Sequence, residues 1–261
     1  MTAGNQEQAF AKCLIVNADD YGYTAGVSAG IRRAHLEGIV TSTSVMMTIP
    51  YAVAELARLR SETPTLGAGV HLTVTEGRPF RLARFFSPGH LHSELAGSPV
   101  AELRSEWRAQ IDAFCATGLS LTHLDSHHHA AYRRGNALSV LFELARDCGV
   151  PVRQPYPLGD TEADALATRF ATAGIRHPSR FVDVFHKKPT TADLLRSIET
   201  LPDGVTEFMV HPAVVDDELR QLSPNFALQR AIELEALTEP SVRAAVQRHG
   251  IRLASFSVLA D

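Results

Sequence analysis

The sequence has few cysteines and no long apolar run, and these absences exclude whole classes of protein. Its 261 residues include three cysteines, Cys13, Cys115 and Cys148, which lie far apart in apolar segments. An odd, scattered set predicts reduced thiols in the core and argues against a disulfide framework or a zinc knuckle. No stretch of about 18 uncharged apolar residues predicts a membrane helix, and the polar N-terminal segment does not resemble a signal peptide. We therefore expect a soluble, cytoplasmic protein that does not act at a membrane.

A strong charge of either sign is also absent. The 25 Lys and Arg residues against 29 Asp and Glu residues give a net charge of −4. This balance argues against nucleic acid or an anionic membrane as partner, and favours a small or neutral substrate. Neither a GxGxxG nor a Walker motif supports a nucleotide-binding fold, and no repeat or low-complexity linker divides the chain. A single domain over residues 1–261 is the simplest interpretation.

Short β-branched segments alternate with segments of helical periodicity along the whole chain. About eight such βα units predict a parallel sheet covered by helices, and at this length a distorted (β/α) barrel fits better than a doubly wound sheet. Residues 75–98 show no clear period and predict a long insertion at a strand end, where loops often cover active sites. The strands are expected at residues 13–17, 42–47, 66–72, 121–124, 151–153, 181–184, 205–210 and 252–257.

Polar residues follow several of these strands directly, at the end where barrels carry their active sites. Asp20, His71 and His127 are separated by more than 50 residues each, so only a fold that gathers strand ends would unite them. One carboxylate and two imidazoles suit a catalytic divalent cation, because three protein ligands leave positions open for water and substrate. Asp19 cannot easily share this metal with Asp20, because adjacent strand residues point to opposite sides unless the strand end bends. Asp19 could instead accept a proton from the bound water, as a general base does.

Each of these residues also has a purely structural interpretation. Asp19 and Asp20 between a strand and a helix are typical of a turn with a helix cap. A single histidine at a strand end, such as His71 or His211, is commonly a hydrogen-bonded structural residue. The run of three histidines from His127 is more specific, since three imidazoles are costly to bury without partners. At most two of them could face one site from an extended segment.

Five ordered segments resemble a known family, the YdjC-like carbohydrate deacetylases, which include chitooligosaccharide deacetylase. The resemblance extends over about residues 12–259, and five motifs in order are far more specific than any one of them. The segments are LIVNADDYG at residues 14–22, GIVTST at 38–43, GVHLT at 69–73, THLDSHHH at 122–129 and HPA at 211–213.

The resemblance implies a deformed (β/α) barrel that removes the acetyl group from N-acetylated amino sugars with one divalent cation, magnesium first and zinc as the alternative. It makes Asp20, His71 and His127 the metal ligands and Asp19 the catalytic base. His211 would be the general acid. Arg153, Asp125 and His129 are expected to contact the sugar. Because family members often pair, it also favours a homodimer.

The sequence departs from the family pattern directly after the histidine run. Many members carry a further histidine two residues beyond the third, where this chain has Ala130, Ala131 and Tyr132. Three other functions remain open: another metal-dependent amidohydrolase, a phosphoesterase, or a noncatalytic sugar-binding barrel. A phosphoesterase would need several convergent cations, and near the motifs only Arg153 is available. A pure binder would have no use for the spare carboxylate of Asp19.

Overall fold

The computed structural model describes residues 12–87, 90–91, 95, 98–133, 136–156, 161–183 and 190–260. Seven strands in this part of the chain form one parallel sheet in the order β4-β3-β2-β1-β6-β5, with β7 pairing to β1. The strands are β1 (Lys12–Tyr21), β2 (Ser42–Val45), β3 (Gly67–Leu72), β4 (Leu121–Ser126), β5 (Arg180–Asp183), β6 (Gly204–Val210) and β7 (Arg252–Leu253).

In the described ranges, ten α-helices connect and cover these strands. The order of the strands follows the chain as in a (β/α) barrel, and the sheet curls into a half-barrel, so the predicted fold class is confirmed in its distorted form. The helices are α1 (Ala25–Leu36), α2 (Ala52–Glu62), α3 (Val100–Cys115), α4 (Ala130–Arg133), α5 (Ala137–Cys148), α6 (Thr161–Ala173), α7 (Thr191–Glu199), α8 (Asp217–Leu222), α9 (Ala227–Thr238) and α10 (Pro240–Arg248).

Several sequence predictions differ from the structure where the barrel is incomplete. The strand expected at residues 151–153 is a single bridge between Val152 and Leu124, and the one expected at 252–257 has two residues before a 3₁₀ turn. The expectation of about eight strands was therefore too high for the described chain. Cys115, expected among the core thiols, is exposed.

Strand β1 forms the centre of the sheet because nine of its ten residues are buried, on both faces, as a central parallel strand requires. It pairs with β2 on one side and β6 on the other. The register against β2 shifts between Ala18 and Tyr21, and Asp20 there has a left-handed φ of 70°. This irregularity is the bend that lets neighbouring aspartates face the same side.

The segment of residues 211–214, which follows β6, packs against helix α1. Thr24 caps the helix, since its side chain accepts a hydrogen bond from Val27 N. A Cβ on Gly30 would lie 2.4 Å from Ala213 Cα, so only glycine lets the chain after β6 rest on the helix. The 211–214 segment is thereby fixed against α1.

The predicted insertion lies against α3. Residues 75–87 contain neither helix nor strand, and residues 88–89, 92–94 and 96–97 lie outside the described part. The backbone N–H groups of Phe80, Arg81 and Leu82 all donate to the buried carboxylate of Glu106.

None of the described helices combines the length and apolar character needed to cross a membrane.

Helices α9 and α10 pack most of their large apolar side chains into the core. Leu234, Leu237, Val242 and Val246 are buried, whereas Leu228 is exposed. The homodimer stays a prediction.

Candidate active site

The predicted metal ligands meet at the carboxyl end of the sheet. Asp20 lies at the bend of β1, His71 near the end of β3 and His127 directly after β4. His127 Nδ1 lies 3.2 Å from Asp20 Oδ1 and 3.2 Å from His71 Nε2, and the third side, from His71 Nε2 to Asp20 Oδ1, is 3.5 Å. Three donor atoms from three separate segments therefore form a compact triangle.

This triangle fits a divalent cation. Donor atoms about 2.0–2.1 Å from a tetrahedral ion lie roughly 3.3 Å apart, close to the three sides observed. Oδ1 of Asp20 is buried without an assigned hydrogen-bond donor among the described residues. Burial disfavours a charge on His71, but Asp125 and Asp19 outweigh it and raise its pKa to about 9. The local field thus favours a positive charge where the ion would bind.

Asp125 fixes the orientation of His71. Its Oδ1 accepts a hydrogen bond from His71 Nδ1 at 2.7 Å, which directs Nε2 towards the triangle, where it can bind an ion once the ring has lost its second proton. A second set of donors, Asp19, His71 and Asp125, is also close enough to share an ion. Both of its carboxylates lie against Arg153, so we favour the first set.

Asp19 lies beside the triangle. Its Oδ2 is 3.9 Å from His71 Nε2 and 3.9 Å from His211 Nε2, while its Oδ1 accepts from Asn17 and Arg153. Burial alone would raise the pKa of Asp19, but Arg153 outweighs it and holds that pKa well below its ordinary value. The surroundings of Asp19 therefore favour its ionised form.

Arg153 is the centre of a buried ionic network. It is fully buried and contacts Asp19, Asp125 and, through Nε at 2.7 Å, Glu207 Oε1. Burial raises the pKa of Glu207 to about 8, although Arg153 opposes this. Arg153 and Asp125 were expected to contact the sugar, but both are fully buried, so neither offers an accessible atom to a ligand.

The histidine run is a turn and not an extended segment. His127–His129 form a single 3₁₀ turn in which His128 and His129 have positive φ values, so only His127 reaches the triangle. The ring of His129 meets the edge of Phe181, and burial lowers its pKa to about 3. The predicted contact of His129 with substrate stays a prediction.

His211 follows β6 and is half-buried at the open side of the site. Its backbone N–H donates to Glu233 Oε2 at 2.5 Å, and its Nε2 faces Asp19. The structure thus brings His211 next to the other predicted residues.

Three charged residues at the site were missed from the sequence: Arg230, Glu233 and Glu207. Arg230 Nη2 donates to Asp20 Oδ2 at 2.6 Å. A signal was present, because Arg230 and Glu233 interrupt the buried apolar stripe of α9 and Glu207 interrupts the apolar strand β6. Charges at core positions are costly and indicate a partner.

Comparison with known proteins identifies the family. The model of the YdjC-like protein family matches residues 13–248, so the chain belongs to that family and the resemblance found in the sequence is confirmed. The chain is similar to a carbohydrate deacetylase of Brevibacillus brevis, with 36% identity over 94% of this chain and 99% of the relative. A carbohydrate deacetylase of Thermoanaerobacter pseudethanolicus is 34% identical over 95% and 99%.

A solved structure shares the whole fold. It is a crystal structure from Enterococcus faecalis V583 of a protein described as a candidate for cellobiose-phosphate cleavage. The TM-score is 0.87 at 30% identity, with 96% of this chain and 100% of the other covered.

Proposed function

We propose that this protein is a metal-dependent carbohydrate deacetylase that hydrolyses the acetamide of N-acetylated amino sugars, such as chitooligosaccharides. As a member of its family the chain is a hydrolase that acts on carbon–nitrogen bonds other than peptide bonds. The observation that carries the proposal is the carboxylate of Asp19 beside the triangle of Asp20, His71 and His127, a combination that a sugar-binding protein does not need.

Asp20, His71 and His127 would hold the cation. We favour zinc over magnesium, because two imidazoles and one carboxylate suit zinc, whereas magnesium prefers oxygen ligands in a strict octahedron. When bound, the ion supplies Lewis-acid chemistry: it acidifies water and polarises the acetyl carbonyl oxygen. Asp125 contributes by keeping the ring of His71 in the ligating orientation.

Asp19 takes up the proton that the attacking water loses as the new carbon–oxygen bond forms. Its Oδ2 faces the triangle, and the two hydrogen bonds from Arg153 hold the carboxylate in that direction. Arg153 is therefore a positioning residue for Asp19 and not a sugar ligand.

His211 donates a proton to the departing nitrogen as the carbon–nitrogen bond breaks, since an amine anion is a very poor leaving group. Its Nε2 is 3.9 Å from the base, close enough for both to contact one acetamide group. The hydroxyl of the water becomes part of acetate, and the departing nitrogen receives its proton from His211. Transfer of the proton from Asp19 to His211 then restores both residues.

A phosphoesterase is the weaker candidate. A phosphoesterase would need positively charged side chains that are free to bind phosphate. Arg153, the side chain expected to distinguish the two reactions, is paired with the carboxylates of Asp19, Asp125 and Glu207.

The test is acetate release from N-acetylglucosamine and its oligomers, with acetylated xylan and phosphorylated disaccharides as comparison substrates. We expect release from the N-acetylated sugars by zinc-loaded protein and none from the phosphorylated ones. Phosphate release without acetate release would overturn the proposal. The rates of acetate release from oligomers of different lengths would give the preferred chain length.

A further inference from the structure

Helix α9 contacts Asp20, one of the proposed metal ligands, through Arg230. This residue lies in the first turn of the helix, and its side chain is only 10% exposed. Its Nη2 donates to Asp20 Oδ2 at 2.6 Å, while the other oxygen, Oδ1, is the one that faces His71 and His127. Arg230 therefore binds the carboxylate oxygen that the ligand triangle does not use.

The position of Arg230 is itself fixed. Its backbone carbonyl accepts from Ala213 N at 3.1 Å, and Glu233, three residues along the helix, accepts from His211 N. One face of α9 thus contacts both the loop of His211 and the carboxylate of Asp20. Nε and Nη1 of Arg230 are buried without hydrogen-bond partners in the described chain, which is a costly arrangement if the residue serves packing alone.

We infer that Arg230 is a positioning residue that restricts Asp20 to one ligating oxygen, Oδ1, and so keeps a coordination position of the cation open for the reacting groups. The inference rests on the proposed metal-dependent function. Carboxylates bind cations through one oxygen or through both. Because Arg230 holds Oδ2 in a charge-assisted hydrogen bond, the second mode is disfavoured.

Loss of this hydrogen bond has two consequences. Asp20 gains the freedom to bind through both oxygens, and it regains the negative charge that the guanidinium balances. Both changes favour tighter binding of the cation and a more saturated coordination shell. Damage to the fold would have the opposite effect on affinity, so the direction of the change separates the two explanations.

Cobalt(II) is a suitable probe, because its visible absorbance weakens as its coordination number rises. Metal-free wild-type protein and the Arg230→Gln variant are titrated with Co²⁺. We expect Arg230→Gln to bind Co²⁺ about tenfold more tightly and with about threefold lower molar absorbance. Arg230→Lys retains a charged donor and should stay closer to the wild type. If the Gln variant does not fold, Arg230→Met, which is uncharged and of similar volume, replaces it.

A matched control is Arg32→Gln, which removes another buried ion pair. Arg32 Nη1 is 2.7 Å from Glu55 Oε2, between α1 and α2 and outside the ligand triangle. The Arg32→Gln substitution should destabilise the protein without changing the absorbance of bound Co²⁺. An unchanged absorbance and affinity in Arg230→Gln would overturn this inference alone. Wild-type protein that binds no Co²⁺ would overturn the proposed function together with it.

Discussion

Arg153 donates from Nη1 and Nη2 to the two carboxylate oxygens of Asp19, at 2.7 and 2.6 Å, across 134 residues of sequence. Both groups are buried, so the pair is a rigid contact and not a surface ion pair. It orients the candidate base and keeps it ionised. A residue from a distant part of the chain therefore sets the orientation and the charge of the candidate base.

Replacement of Arg153 should shift the pH dependence of the reaction. The guanidinium of Arg153 lowers the pKa of Asp19. In Arg153→Gln this pKa therefore rises, and the carboxylate becomes protonated at a higher pH than in the wild type. The acid limb of kcat/KM should move up by about one to three pH units. Arg153→Lys, which keeps the charge, should move it less. A pH profile of kcat/KM that coincides with that of the wild type would contradict the pairing.

Asp19→Asn should separate catalysis from metal binding. We expect activity to fall about 10²- to 10⁴-fold, because the amide cannot accept the proton from water. The metal content should stay near that of the wild type, since Asp19 is outside the ligand triangle. The exposed Asp112→Asn serves as control and should leave both quantities unchanged. Full activity of Asp19→Asn would show that another group is the base.

Much of this site could be predicted from local motifs, and the remainder depends on contacts between distant segments. The strand ends placed Asp20, His71 and His127 correctly because parallel strands bring their carboxyl ends together. The left-handed φ of Asp20 could not be predicted, since it arises from the register shift between β1 and β2. The partner of Asp20, Arg230, lies 210 residues away on α9, and no local pattern in the sequence links the two residues.

The same distinction applies to the fold. Strands β5 and β6 were predicted within one residue of their bounds, because their apolar and β-branched runs are local features of the sequence. The two-residue strand β7 and the single bridge at Val152 were harder, because tertiary pairing and not local pattern determines their length.

Loss of a ligand should remove both the metal and its stabilisation. Wild-type protein at a cation concentration of 100 Kd should gain about 2.7 kcal/mol in unfolding free energy. His71→Ala should show no gain, no stoichiometric metal and no turnover. Thermal unfolding with and without the cation, together with metal analysis, measures this. Stoichiometric metal in His71→Ala, or in the parallel variant His127→Ala, would contradict the proposed ligands.

Acid should destabilise the protein through His123. This ring is fully buried, stacks on Phe256 at 3.9 Å, and covers Gly69, where a Cβ would approach it to 2.4 Å. Burial lowers its pKa to about 4 in the folded protein. The unfolded chain binds the proton more readily, so this contribution to stability is present above about pH 6.5 and is lost as the pH falls towards 4.

The loss should amount to about 3 kcal/mol, because one pKa unit corresponds to about 1.4 kcal/mol. Urea unfolding of metal-free protein at pH 7.0 and at about pH 4.5 measures it. His123→Gln should have a smaller pH dependence than the wild type, whereas His249→Gln, at a partly exposed position on the surface, should keep it. Equal pH dependence in all three proteins would assign the acid sensitivity to other groups.

Titration of metal-free protein with zinc, followed by the rate of acetate release from an N-acetylglucosamine oligomer, tests metal-dependent deacetylation most directly. The rate should rise linearly and reach a plateau at one equivalent per chain, and Asp20→Asn should not reach this plateau. Undiminished acetate release by metal-free protein would contradict metal-dependent deacetylation, as would a lack of release from protein that has bound one equivalent.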